Sequence, residues 1–207
     1  MVDLDRRSIA AAALAVADQH GLAGFTMRAV ASALGVTPMA LYHHVEDKAA
    51  LAELVIDLVM SERELPPPTG IGWQEDLCEV ARWSREAMVV HPAVVHLRRE
   101  YRVWTPSLSA IVESWLRIWE QSGLGEAETI VAARISRLAV IGFAEEEIVI
   151  HGIDPPNRSM PSWLPNPQGM LSGEKEYGAE FELFVRSLVE GLYTRLSRTA
   201  HETAGGS

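Results

Sequence analysis

Side chains that could carry out a reaction are few in this sequence, and none is arranged for one. Cys78 is the single cysteine and falls on the apolar face of a helical pattern, where a thiol is more often inert than nucleophilic. No P-loop, HExxH, GxSxG or cysteine pair occurs, so the chain is not expected to be an enzyme. His91, His96 and His151 are metal-type side chains, but their spacing matches no ligand signature and Pro92 interrupts the first two, so no metal and no cofactor is expected. Glu145, Glu146 and Glu147 form a sharper cluster. Three acids amid apolar residues suit a cationic or metal-chelated ligand, and they equally suit a solvated helix face. The stretch from Thr26 to Lys48, TMRAVASALGVTPMALYHHVEDK, carries a signal of another kind.

What its side chains do depends on the elements that mount them, and the stretch reads residue by residue as a helix-turn-helix. Thr26 is an N-cap before a short helix with Val30, Ala31 and Leu34 on one face. Gly35 supplies the positive-φ turn that glycine adopts cheaply, and Val36 plugs the turn into the core. Thr37 followed by Pro38 is a second start signal, a capping hydroxyl and then a proline at the first helical position, where its missing N–H costs nothing. The second helix carries Met39, Ala40, Leu41, Tyr42, His43 and His44. Leu41 and Val45 are expected to face the core and the others to face outward.

At these residues the chain resembles the TetR family of transcriptional repressors, and ALYHHVEDKAAL is similar to the tetracycline-repressor branch. In that family the segment ending LYxHVxxK forms the recognition helix, a Tyr and a Lys that hold phosphates, and the start of the helix leading to the ligand domain. Tyr42, His44, Val45 and Lys48 fall on that pattern. The resemblance implies that Tyr42 and Lys48 hold phosphates of double-stranded operator DNA, with Thr26 and Arg28 doing so at the start of the preceding helix. It also implies that Thr37, Pro38, Met39 and Ala40 meet base edges in the major groove. These four are mostly apolar, so contacts with thymine methyls are expected over bidentate guanine readout, and His43 and His44 are the polar readers left. The alternative is that Tyr42 packs and His44 merely caps. The tetracycline repressors open this helix with more polar side chains, so their operator does not carry over.

Charge resists the DNA-binding reading. The net charge is −10, and residues 1–48 hold Arg6, Arg7, Arg28 and Lys48 against Asp3, Asp5, Asp18, Glu46 and Asp47. The head is therefore not basic, and binding is expected to rest on a few placed contacts and dimer avidity rather than on non-specific attraction.

At 207 residues and 48% hydrophobic composition the chain is long enough for a small domain followed by a larger one. Leu4, Ile9, Ala13, Val16 and Ala17 recur at helical spacing, and Gly21 closes that first helix; Leu22 and Phe25 staple it to the motif. Asp47 caps a long helix with Leu51, Leu54, Val55 and Leu58 on one side. The boundary is expected between Met60 and Gly72, where Pro66, Pro67, Pro68, Gly70 and Gly72 forbid continued helix. Two domains follow: 1–61, a helix-turn-helix DNA-binding domain with its linking helix, and 72–200, a helical effector-binding and dimerisation domain.

In the second domain, helices are expected over Gln74–His91, Ala93–Tyr101, from Thr105–Pro106 to Gly123, from Glu126 to about Ile150, and from about Tyr177 to Arg198. The fourth of these has apolar or small residues on more than one face (Ile130, Ile135, Leu138, Ile141, Phe143), as a helix buried against both its own domain and a partner would. Asp154 to Gly173, with five prolines, is expected to be an irregular loop. The fold class is all-α: an N-terminal three-helix DNA-binding domain and a C-terminal helical ligand-binding and dimerisation domain.

All six tryptophans lie in the second domain. Trp83, Met88, Trp104, Trp115 and Phe143 are candidates to wall a pocket for a flat apolar effector, with Glu146 as its acidic group; the alternative is that the aromatics are simply core. DNA readout by one short helix requires two copies about one helical turn apart, so a homodimer is expected. The absence of a membrane span, of a leader and of a second cysteine fits a cytoplasmic protein. The expected function is a dimeric repressor on a palindromic operator, released by a small aromatic or apolar effector that shifts the linking helix. The rival is a DNA-binding regulator or architectural factor with no effector.

Overall fold

The computed structural model describes residues 4–151 and 174–204. The expected proline-rich loop, with Trp163 in it, lies outside them. Among the described residues the only regular elements are helices, without strands: α1 (Arg6–Gly24), α2 (Met27–Ala33), α3 (Pro38–Tyr42), α4 (Lys48–Ser61), α5 (Trp73–Val90), α6 (Pro92–Tyr101), α7 (Pro106–Glu120), α8 (Glu126–His151) and α9 (Glu174–Ala204).

The start and stop signals act as capping chemistry predicts. Asp5 and Ser8 close a reciprocal capping box on α1, and Gly21 leaves helical geometry at φ 62°, kinking its end. Thr26 Oγ1 accepts from Ala29 N–H at 3.1 Å, Thr37 Oγ1 from Ala40 N–H at 3.2 Å, and Asp47 Oδ1 from Ala50 N–H at 2.8 Å. Gly35 adopts φ 68°, which lets Val36 N–H reach back to the carbonyl of Ala31 at 3.0 Å. Val36 itself is half-buried. Thr105 caps α7 through Leu108 N–H.

Packing divides the chain into two compact units, Met1–Leu65 with Val90–Ile111, and Pro66–Val89 with Val112–Ser207. This differs from the two consecutive segments, 1–61 and 72–200, drawn from the proline-rich boundary. In the first unit α1 packs on α2, α4 and α6, and α6 packs on α4 as well, so residues 90–111 join the head although a linker separates them from it in sequence. Its core holds Ile9, Phe25, Val30, Leu41, Leu51, Ile56 and, from α6, Leu97, all fully buried. The buried side of α4 is Leu51, Ala52, Val55, Ile56, Val59 and Met60, broader than the expected stripe, because α6 covers a second face of the helix.

In the second unit α8 packs against α9. The faces of α8 differ in kind. Its buried stripe is small or polar, Thr129, Ala132, Ala133, Ser136, Val140, Ala144 and Glu147, while Ile130, Ile135, Leu138 and Val149 are exposed. Small residues let α8 approach its neighbours closely, and the large aliphatics are left on the outer face.

Candidate nucleic-acid interface

α3 is only five residues long, and one apolar anchor, Leu41, holds it to the core together with Val45 just beyond it. The other side chains of the motif are left outside. Thr37, Pro38, His43 and His44 are exposed, Ala40 is half-buried, and Met39 is 68% exposed. An apolar side chain that far into water has no packing role within this chain, which suits contact with a methyl-bearing surface. His44 N–H bonds the carbonyl of Leu41, so its backbone ends the helix while its imidazole stays outside.

Thr26, Arg28, Tyr42 and Lys48 come from three different helix starts and ends, yet they line one cleft with Met27, Asp47, Ala49 and Tyr101. Tyr42 is 50% exposed. The cleft therefore combines a hydroxyl, a phenol, a guanidinium and an ammonium. Its one carboxylate, Asp47, is already engaged in capping α4. Such a set of donors holds an oxyanion chain well. Met27, Ala49 and Tyr101 are the lining residues that sequence reading did not single out. Nothing in the sequence marks Tyr101, which reaches the cleft only because α6 folds onto the head.

The residues proposed for a ligand are distributed differently. Trp83 and Met88 on α5 and Trp115 on α7 are buried in the second unit. Phe143 on α8 sits in an aromatic cluster, 5.2 Å from Phe181, 5.1 Å from Phe184 and 6.4 Å from Tyr177. Two of the six do not fit the expected pocket wall. Trp104 belongs to the first unit, is 54% exposed, and donates its indole N–H to Ser109 at 2.8 Å. Glu146 is exposed and Glu147 is the buried acid, because successive helix residues turn by about 100° and only one of three adjacent acids can face inward.

Sequence reading missed the partner of that acid. Arg85 donates twice to Glu147 and lies 5.1 Å from the centre of the Phe181 ring. A second network, on Arg82, engages Glu75, Glu79 and Glu182, and Arg186 adds to Glu75. Hydrogen bonds from Arg82 hold the Glu75 carboxyl below its ordinary range. Cys78 is buried, and burial pushes its thiol up, the opposite of nucleophilic activation. His91 pairs with Asp18 at 3.1 Å and His96 is exposed; the side chain of His151 lies outside the described residues.

Two family models match the chain: the bacterial regulatory proteins of the tetR family over residues 9–55, and the tetracyclin repressor-like C-terminal domain over residues 65–196. The chain belongs to the TetR family. Among its curated relatives, the HTH-type transcriptional repressor DrrR1 of Streptomyces coeruleorubidus is 32% identical across 70% of this chain, which spans 53% of that relative's length. The class E tetracycline repressor of Escherichia coli is 26% identical across 97% of this chain and 96% of its own. The crystal structure of Mycobacterium smegmatis BioQ matches at 27% identity with a TM-score of 0.71, covering 92% of this chain and 99% of that one. BioQ bound to its double-stranded DNA operator matches with a TM-score of 0.69.

TetR proteins are helix-turn-helix transcription regulators, a class distinct from enzymes, and the two TetR models together account for both the reading motif and the helices behind it. No helix among the described residues is long and apolar enough to cross a membrane.

Proposed function

We propose that this TetR-family protein is a cytoplasmic, ligand-responsive repressor that binds a palindromic operator as a homodimer and is released by a small aromatic or apolar effector. The observation that carries the reading is the convergence of Thr26, Arg28, Tyr42 and Lys48 on one cleft, beside a helix whose Pro38 and Met39 are exposed. In this reading the cleft holds the DNA backbone and sets the register. Thr37, Pro38, Met39 and Ala40 then meet base edges, with Met39 and Pro38 against thymine methyls and His43 and His44 as polar readers.

The exposed aliphatics of α8 (Ile130, Ile135, Leu138, Val149) and of α9 (Leu183) support the homodimer, because such residues on two long helices call for a partner of the same kind. The effector half of the reading is supported by three buried donors without hydrogen-bond partners among the described residues, the indole N–H groups of Trp83 and Trp115 and the hydroxyl of Ser114. Each leaves a penalty of about 1–3 kcal/mol that a ligand with acceptor oxygens would remove. An effector with a flat apolar body and carbonyl or phenolate oxygens fits both features, and the similarity to a tetracycline repressor points the same way.

The test is binding of fluorescent duplexes from the intergenic DNA flanking the gene. Tyr42→Ala should lower operator affinity at least about a hundredfold while the variant still elutes as a dimer; unaltered affinity would remove the cleft from the DNA interface. Titrating aromatic compounds while following tryptophan fluorescence and operator release tests the effector. A panel that neither quenches nor releases favours a regulator without an effector.

A further inference from the structure

We propose that the last turn of α6 is part of the DNA-binding surface, with the Tyr101 hydroxyl donating to the same phosphate run as Thr26, Tyr42 and Lys48. This rests on the reading of the cleft as a phosphate cradle and extends it to an element outside the helix-turn-helix. The cleft is lined on one side by Tyr101, so the cradle is completed by a residue from α6.

The placement of Tyr101 is well determined. Its ring lies 6.2 Å from that of Phe25, which is fully buried and immediately precedes the capping residue Thr26. Ring and cap are thus positioned from the same anchor. Upstream, Val94 and Leu97 of α6 are buried in the core that α1 and α4 share. Downstream, Arg102 turns into the left-handed region at φ 52°, so the helix ends with Tyr101 as its last residue. Half-buried, Tyr101 keeps one side toward the cleft and one toward the protein. Burial, and then the charge of Glu100, push its phenol above the ordinary tyrosine value, which keeps it a proton donor at neutral and mildly alkaline pH.

The chemistry also answers the weak charge of the head. With Arg28 and Lys48 as the cleft's cations, added grip comes from neutral O–H donors to anionic oxygen, which are charge-assisted on the acceptor side and need no further positive residues. A donor of this kind has a distinct signature. It contributes affinity without releasing a counterion, so its removal weakens binding and leaves the salt dependence unchanged.

The experiment compares operator affinity against salt for the full-length dimer carrying Tyr101→Phe, Lys48→Ala or Thr26→Ala, with circular dichroism and gel filtration as controls for fold and assembly. Phenylalanine keeps the ring contact with Phe25, so the fold is retained. Tyr101→Phe should weaken binding about five- to tenfold with the wild-type slope of log K against log[salt], whereas Lys48→Ala should weaken it and lower the slope by about two, one for each subunit of the dimer. Wild-type affinity in Tyr101→Phe alongside loss in Lys48→Ala and Thr26→Ala overturns the inference and leaves the cleft reading standing. Wild-type affinity in all three overturns both.

Discussion

Glu147 is 1% exposed and accepts two hydrogen bonds from Arg85, Nε to Oε2 at 2.6 Å and Nη2 to Oε1 at 2.5 Å. The geometry is the bidentate fork that arginine makes with a carboxylate, and the Phe181 ring beside the guanidinium makes the surroundings apolar. Breaking such a pair strands a charge. Glu147→Ala should destabilise the protein by about 3 kcal/mol, at the low end for buried pairs because Arg85 keeps 17% of its side chain exposed. The double change Glu147→Leu with Arg85→Met should regain most of that loss. Denaturant unfolding of the two variants measures both numbers, and a double variant no more stable than the single one would contradict this account.

Arg102 is the one non-glycine residue with positive φ among the described residues. The left-handed conformation costs an L-residue about 1–2 kcal/mol, and glycine's greater freedom in the unfolded chain takes back about 0.4–1. Arg102→Gly should therefore stabilise by about 0.5–1 kcal/mol, seen as a rise of a few degrees in Tm. A fall in Tm would mean that the arginine side chain contributes more than its backbone costs.

Glu75 links acid stability to the Arg82 network. Its folded carboxyl titrates below the ordinary value of 4.5, chiefly through the hydrogen bond from Arg82. The stabilisation is therefore fully present above about pH 4.5 and is lost as pH falls through the lower folded value, since the unfolded chain takes up the proton first. Glu75→Gln should cost stability at neutral pH and flatten the decline below pH 4.5. Parallel acid-unfolding curves for the two proteins would rule the network out as their cause.

Operator affinity should depend weakly on salt. The cleft contributes Arg28 and Lys48, and Arg6 and Arg7 are exposed on α1. For a dimer these correspond to a slope of log K against log[salt] between about −4 and −7, and a slope steeper than about −8 would require phosphate contacts beyond these residues.

The local signals of the reading head were legible because capping and turn chemistry are short-range. Thr26, Gly35, Thr37 with Pro38, and Asp47 act within three or four residues, so their neighbours in sequence are their partners in space. The all-α class follows from helical periodicity in the same way. The sequence also placed Leu41 and Val45 inside and Met39 and Tyr42 outside, since a five-residue helix has only one face to bury.

What tertiary structure alone decided are the properties of side chains whose partners lie far along the chain. Which of three adjacent glutamates is buried depends on where Arg85 stands, and Glu147 rather than Glu146 is the one that meets it. Which face of α8 is inside depends on how closely its neighbours approach, and that favoured alanine, serine and threonine over the larger aliphatics. Trp104 and Tyr101 followed α6 and its flanks into the head because the apolar face of α6 is buried against α1 and α4, a pairing that no period or spacing encodes. Sequence by itself thus determined the kind of protein, a TetR-family regulator, and its helix-turn-helix motif. Burial across distant segments decided which side chains complete the cleft and which form the core.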